Sequence, residues 1–557
     1  MSRLKNRAVF KTVLPGAGLM VCLLLVGCGD KYIQHHNRGL AHNRKGRYDK
    51  AILEYTKAIE INPRLAWAHL NRGNTFNNIG KYDLAILDFN KAIEIQPEFA
   101  LAYNNRGNAY NRKGEYDQAI TDFNKAIGIN PRLAEAYVNR GIAYKNKGEY
   151  NQAITDFNKA IEINPRLSEA YVNRGNTYIN KGEYDQTISD CTMAIEIKPE
   201  LAMAYNNRGL AYNKKGEHDQ AISDFNKAIE IDPRFAEVYV NRGNAYNNKG
   251  EHDQAILDFN KAIEIKPELT EAYSNRGVAY TNKGEYDQAI SDCTKALEIN
   301  PRYAEAYSNR GIAYQDKGEY DQALLDYNKA IKINPGLAQT YVNRGIFYMA
   351  KGENDLAIAD FSKALEVNPG DAQTYNNRGR VYAAKDEYDL GISDFTKAIE
   401  INPSEFKAYY NRGLVYYNTG KPDKAISDYT MALGINPKFV EAYVNRGLVY
   451  MAKGYNELAI ADFNKAIEIS PRFAHAYNNR GLAYMSNGEN DQAIRDFTKV
   501  IEIKPELAMA YNNRAVAYYY KQEYDKAWED VHKAQILGYQ VNPVFLKALR
   551  EASGREQ

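Results

Sequence analysis

Between Ala100 and Leu133, small and aromatic residues fall at helical spacing in two stretches. Tyr103, Gly107 and Tyr110 form one stripe, and Ala119, Phe123 and Ala126 form the other. The spacing predicts one helix over 100–113 and a second over 116–129. Gly114 breaks the first, because glycine enters a left-handed turn without a Cβ clash. Pro131 stops the second, since proline disfavours helical backbone at the residue before it. Gly107 and Ala119 allow the two helices to approach closely, and the aromatic rings fill the space that remains.

This pattern returns every 34 residues. Asn37-Arg38-Gly39 opens the series, Asn479-Arg480-Gly481 continues it, and the last copy reads Asn513-Arg514-Ala515. The fifteen copies contain no insertion or deletion. Fourteen of the 17 prolines keep the period, from Pro63 to Pro505, while Pro15, Pro422 and Pro543 do not. One such unit cannot bury enough surface to offset its own ordering, so neighbours must stack.

These residues resemble the tetratricopeptide repeat family. The likeness is carried by Tyr103 (where the family often has Trp), Gly107, Tyr110, Ala119, Phe123, Ala126 and Pro131, and it extends over 32–541. It implies an all-α fold, a right-handed superhelical solenoid of fifteen helix-turn-helix units running 32–65, 66–99 and so on to 508–541. Residues 542–557 are expected to form a capping helix and tail, with Phe545, Leu546 and Leu549 as its apolar stripe. At the other end His35, His42 and His69 take core aromatic places. Thr187 and Gly391 replace the small Ala of the second helix, and Cys191 and Cys293 take the place of Phe123. A disulfide needs Cα atoms within about 7 Å, whereas three repeats put several helices between these two, so free buried thiols are expected.

In the family the first helices line a concave groove, and the resemblance places the repeated Asn there. The expected ligand-binding ladder is Asn71, Asn105, Asn139, Asn173, Asn207, Asn241, Asn275, Asn309, Asn343, Asn377, Asn411, Asn445, Asn479 and Asn513. An amide offers one acceptor and two donors, so such a ladder can hold an extended peptide backbone whatever its side chains. It resembles the asparagine ladder of the O-GlcNAc transferase array. The alternative is that each Asn bonds the neighbouring repeat and stiffens the stack. The Arg that follows is matched by an acid sixteen residues later in every copy, from Glu54 and Asp88 to Asp530, which points to a structural ion pair between helices rather than a phosphate site. Groove positions change along the chain, from amides such as Asn74, Asn108, Asn176, Asn244 and Asn248 to apolar Met349, Ala350, Met451, Met485, Tyr519 and Tyr520. A chaperone-binding carboxylate clamp would need Lys before the Asn, and that place holds His36, Leu70, Asn104, Val138 and similar residues, never Lys.

Charge and chemistry narrow the function further. The formal net charge is +2, but Arg3, Lys5, Arg7 and Lys11 supply four positive charges before residue 28, and the remainder carries a net of −2. Nucleic acid is therefore not an expected partner. The basic start, an apolar run from Val13 to Gly27 and then Cys28 have the layout of a secretory signal, and Leu25-Val26-Gly27-Cys28 resembles a bacterial lipobox. The resemblance implies a signal peptide over 1–27, lipidation at Cys28, a short tether over 28–31 and a membrane surface facing the periplasm. The alternatives are an uncleaved anchor, although fifteen residues fall short of a span, and ordinary secretion. No Gly-rich phosphate loop, zinc signature or nucleophile elbow is present, and sixteen residues follow the last repeat. No cofactor and no enzyme activity are expected; a metal site at His35 and His42 is the remote exception. The expected function is a scaffold of the bacterial cell envelope that gathers protein partners, with a glycan-binding adaptor as the alternative.

Overall fold

The computed structural model describes residues 19–555, with side chains from residue 31 onward. The basic start of the expected signal peptide lies outside the described residues, and so does the Cys28 side chain. Among the described residues there are thirty-one helices and no strand, from α1 (Leu19–Arg44) to α31 (Pro543–Ser553). They form an all-α solenoid of fifteen helix pairs and a final capping helix. The chain divides into two compact units between Lys283 and Gly284, each built from the same pair. Residues 28–31 are helical, because α1 runs unbroken for 26 residues. No helix among the described residues is long and apolar enough to cross a membrane.

The pair α5 (Ala100–Lys113) and α6 (Tyr116–Ile129) represents the unit. Gly114 ends α5 at φ 82°, and the Glu115 N–H then donates to the Tyr110 carbonyl at 2.9 Å. This closes the helix end with a left-handed residue that glycine adopts at least cost. Asp386 and Gln522 take the same backbone at φ 61° and 62° without that advantage. After α6, the Asn130 Oδ1 accepts the Arg132 N–H at 3.1 Å, so the turn through Pro131 has its own hydrogen bond.

Ala119, Phe123 and Ala126 of α6 are fully buried, and the first two lie against Gly107 of α5. A Cβ placed on Gly107 would lie 2.8 Å from the Phe123 ring and 3.1 Å from the Ala119 carbonyl oxygen. The approach is therefore set by a ring lying against bare backbone. Some copies vary the residues of this contact. Ala515 carries a Cβ, and the buried residue sixteen places on is Val531 rather than Phe. Gly175 faces the smaller Cys191, whose Sγ would sit 3.1 Å from an added Cβ. Thr187, in the small-residue place, donates its hydroxyl to the Gly175 carbonyl at 3.0 Å and so buries no unmet polar group.

The capping helix buries Leu549 completely, and Phe545 and Leu546 pack on the cluster of Tyr511, Trp528 and Val531. Trp528 Nε1 donates to Ser553 Oγ at 3.1 Å, tying α31 to the last pair. At the start of the chain, His69 holds a ring position but hydrogen-bonds Asp88 at 3.2 Å, and His35 hydrogen-bonds Glu54 at 2.8 Å. Cys191 and Cys293 are free and buried, as their separation predicts. Burial pushes both thiols up to about 12.

Two outcomes are expected. Gly107→Ala should cost about 2 kcal/mol of local stability through overpacking against Phe123, and adding Phe123→Val should recover most of it. Hydrogen exchange in α5 and α6 reads both; unchanged protection in the single variant would contradict the close approach. At pH 8 Cys191 and Cys293 should resist a thiol reagent in the folded chain and react once urea unfolds it. Because their folded values stand above the ordinary value of about 9, they favour the fold fully below that pH, and the contribution is lost as pH rises towards 12.

Candidate functional site

The Asn-Arg-Gly segment places two different side chains on the first helix of each pair. Arg106 turns towards the second helices. Its Nε and Nη2 donate to both oxygens of Asp122, at 2.7 and 2.6 Å, and its Nη1 donates to Asn90 of α4 (Tyr82–Ile95) at 2.6 Å. The guanidinium also lies over the Tyr103 ring, 5.4 Å from its centroid. One side chain thus joins the second helix of its own pair to that of the preceding pair. The Asp122 hydrogen bond raises the Arg106 value against the opposing effect of burial. Pairing recurs from Arg72–Asp88 to Arg242–Asp258 in the first unit and from Arg310–Asp326 to Arg514–Asp530 in the second. The first copy departs from the expected pattern. Arg38 is exposed, and Glu54 accepts from His35 and Lys57 instead. The acid of this copy is Glu54 where the others carry Asp, and among the described residues no second helix precedes the pair that holds Arg38.

The Asn side chain faces the other way, towards the first helix of the preceding pair. Its donor follows one rule. Where the residue 35 places earlier is polar, the amide donates to it: Asn139 to Asn104 at 3.0 Å, Asn241 to Asn206 at 2.8 Å, Asn343 to Ser308 at 3.2 Å, Asn445 to Tyr410 at 2.8 Å. Asn411 and Asn513 do the same with Asn376 and Asn478, and Asn71 meets His36. Where that residue is apolar, the amide turns elsewhere. Asn105 donates to Asn74 and Asn173 to its own helix at the Glu169 carbonyl. Asn207, opposite Val172, keeps a buried Nδ2 without a partner among the described residues. Most ladder residues are half-buried, while Asn207 and Asn377 are buried.

Three consecutive first helices of the first unit frame a cleft of about 470 Å³: α11 (Ala202–Lys214), α13 (Ala236–Asn248) and α15 (Thr270–Asn282). Asn241 and Asn275 of the ladder meet there with Asn213, Asn244, Asn247 and Asn248. Leu210 and Val278 add apolar surface, and Lys214 and Glu271 add opposite charges. The cleft holds several amides already engaged. Asn247 accepts from Asn282 at 3.2 Å and lies 2.6 Å from the His252 Nδ1, and Asn241 is bonded to Asn206. Asn244 and Asn275 have no hydrogen-bond partner among the described residues. They present donors and acceptors to whatever enters.

Sequence reasoning missed Lys214, Glu271, Leu210 and Val278. Their signal was available as helical spacing from the ladder Asn on the same face. Met349, Met451 and Met485, read as exposed groove, instead pack partly buried against the cores of their own pairs, while Ala350, Ala452 and Tyr520 are exposed. Among the described residues no group of three or more His, Cys, Asp or Glu is placed to hold a metal ion.

Family models described as "TPR repeat" match residues 39–80, 73–114, 107–148, 243–284, 379–420 and 447–488. Models described as "Tetratricopeptide repeat" match eight further segments from 134–167 to 474–507, and also 225–256. The matches cover most of the chain, and the chain belongs to the tetratricopeptide repeat family: its fold is that of a non-catalytic protein-interaction scaffold. No curated protein matches the sequence. Among solved structures the chain is similar to the APC/C hetero-tetramer Cut9–Hcn1, at 15% identity and a TM-score of 0.52, over 90% of this chain and 99% of that one, which shows a shared fold. It is also similar to YrrB, a TPR protein with an unusual peptide-binding site, at 27% identity and a TM-score of 0.28 over 33% of this chain and 95% of that one. A tetratricopeptide repeat protein from Parabacteroides merdae matches at 21% identity and a TM-score of 0.38 over 44% of this chain and 98% of that one.

Arg242→Met should leave Asp258 buried without its partner and cost about 3 kcal/mol of local stability. Hydrogen exchange in α13 and α14 (His252–Ile265) should rise, and ligand binding in the cleft should be largely kept. Reduced binding with unchanged exchange would assign the Arg to the ligand instead.

Proposed function

We propose that the chain is a lipid-anchored scaffold of the bacterial cell envelope that holds extended segments of partner proteins along the faces of its first helices. The observation that carries this reading is the amide-lined cleft across α11, α13 and α15, where Asn244 and Asn275 keep their hydrogen-bonding groups for a ligand. An extended backbone exposes alternating N–H and C=O groups, and amides can meet both without reading side chains. Leu210 and Val278 offer apolar contact at the same place. The ladder has two kinds of member in this reading. Those that donate to the preceding pair stiffen the stack, and Asn275, which faces the apolar Val240 and lines the cleft, is available to the ligand. The anchor rests on the basic start, the apolar run and Cys28, and it would set the first pair at the membrane surface, facing the periplasm.

The test is partner capture from native membranes with three baits: wild type, Asn244→Ala/Asn275→Ala and Cys28→Ser. Wild type should retain proteins that the double variant loses at unchanged helicity, and Cys28→Ser should leave the membrane fraction. If the double variant retains the same proteins, the cleft is not the binding groove. Elution by free oligosaccharide rather than by peptide would replace this reading with a glycan-binding adaptor.

A further inference from the structure

One copy in the second unit breaks the small-residue rule between neighbouring pairs. The tenth residue of the first helix is Ala in Ala109, Ala313 and Ala483, and Thr or Val in Thr177 and Val449. In α19 (Ala338–Lys351) it is Phe347, only 5% exposed and packed beside Ala323 and Tyr327. A ring in this seat holds α19 off α18 (Tyr320–Ile333), and the two pack less extensively than the junctions on either side. A cleft of about 410 Å³ opens there, lined by Gln315, Asp316, Tyr320, Phe347, Ala350 and Lys351.

The lysine at the end of the first helix behaves differently here. In the flanking copies it reaches back to an Asp of the preceding pair: Lys317 to Asp287 at 3.0 Å and Lys385 to Asp355 at 2.7 Å. Lys351 has Asp321 at the same offset. Its ammonium lies instead over the Tyr320 ring, 3.6 Å from the centroid, and 6.0 Å from that of Phe347. The two rings stand 6.0 Å apart and tilted by 60°, so they form an aromatic corner. A cation is drawn to a ring face by the negative potential there. Tyr320 is 44% exposed, so that face is reachable from solvent.

Asp316 completes the set. It is the one acid at its place among the fifteen first helices, where Asn, Lys, Arg or Ala otherwise stands in most copies. It has no hydrogen bond or ion pair among the described residues, and burial pushes its carboxyl up. Gln315 is fixed in the cleft wall by the Tyr327 hydroxyl, which donates to its Oε1 at 3.1 Å. The open Tyr320 face and an unpaired carboxylate make a receptor for a positive group.

We propose that this corner binds a cationic side chain, the ammonium or guanidinium of a bound polypeptide, which takes the Tyr320 face from Lys351 and pairs with Asp316. Lys351 is the resident occupant, and it returns to the ring when the site empties. The corner is built from residues of the second unit alone, and Asn244→Ala/Asn275→Ala changes none of them.

The experiment is a titration of the full chain, with tyrosine rings labelled and Tyr320 assigned through Tyr320→Phe, followed by NMR. The probe is N-acetyl-lysine N-methylamide, and the norleucine analogue supplies the same carbon chain without charge. The lysine probe should shift the Tyr320 ring saturably, with Kd in the millimolar range, and the norleucine probe should not. Lys351→Met should tighten the lysine probe by about threefold by removing the competitor, and Asp316→Asn should weaken it by about threefold. The Lys351 side chain is exposed, so its removal leaves the core intact. Equal shifts with both probes would overturn the proposal in favour of a plain apolar cleft. Absence of saturable shifts in Lys351→Met would overturn it outright.

Discussion

A guanidinium shared between two successive second helices is the joint on which this architecture depends. Each pair alone is too small to hold its own fold, and its stability comes from the faces it presents to its neighbours. Apolar contact supplies most of that energy but little direction. The Arg supplies direction. Its forked donors meet both oxygens of one carboxylate in its own pair, and the remaining donor reaches the preceding pair. With Asp122 only 5% exposed, the arrangement tolerates no half measure: a buried carboxylate that loses its partner costs far more than the intact pair contributes. The register of one pair on the next is therefore specified by chemistry as well as by shape.

The same Asn-Arg-Gly segment serves three neighbours at once. Glycine admits the ring of the second helix, Arg joins the second helices, and Asn meets the preceding first helix. Three consecutive residues on a helix point in three directions about 100° apart, which is why one short segment can address all of them. It also explains why this segment varies so little along the chain while the positions around it drift. A change at any of its three residues alters a contact with a different element.

Much of this was legible in the sequence. The helix pairs, the left-handed turn at Gly114, the capping helix with Leu549 and the free buried thiols follow from spacing and residue type alone. The ion pairing of Arg with the acid sixteen residues on was also legible, since its period matches the repeat. Its reach into the preceding pair was not, because Asn90 and Thr294 look like ordinary surface residues in a single copy. The first copy misled for a related reason. Its acid is Glu54 where the other copies carry Asp, and Glu54 is engaged by His35 and Lys57. The Asn ladder was ambiguous for a physical reason: an amide that can hold a ligand can equally hold a neighbour, and the choice depends on a residue 35 places away. The Phe347 cleft needed coordinates, because a Phe at a helical core position reads as ordinary core until its Ala counterparts are seen to be helix contacts.

The repeated joint has a consequence for inheritance. The seat that receives the third donor of the Arg is filled by Asn90 in one copy, Thr294 in another and Ser362 in a third. Any of these oxygens serves, so the end of one unit fits the beginning of many others. Unequal recombination that deletes or duplicates 34 residues within a unit rebuilds an equivalent junction at the crossover. Such an exchange leaves no scar in the protein. The number of copies, and with it the length of surface on offer, is a trait that a lineage can adjust in whole steps without having to invent a new joint.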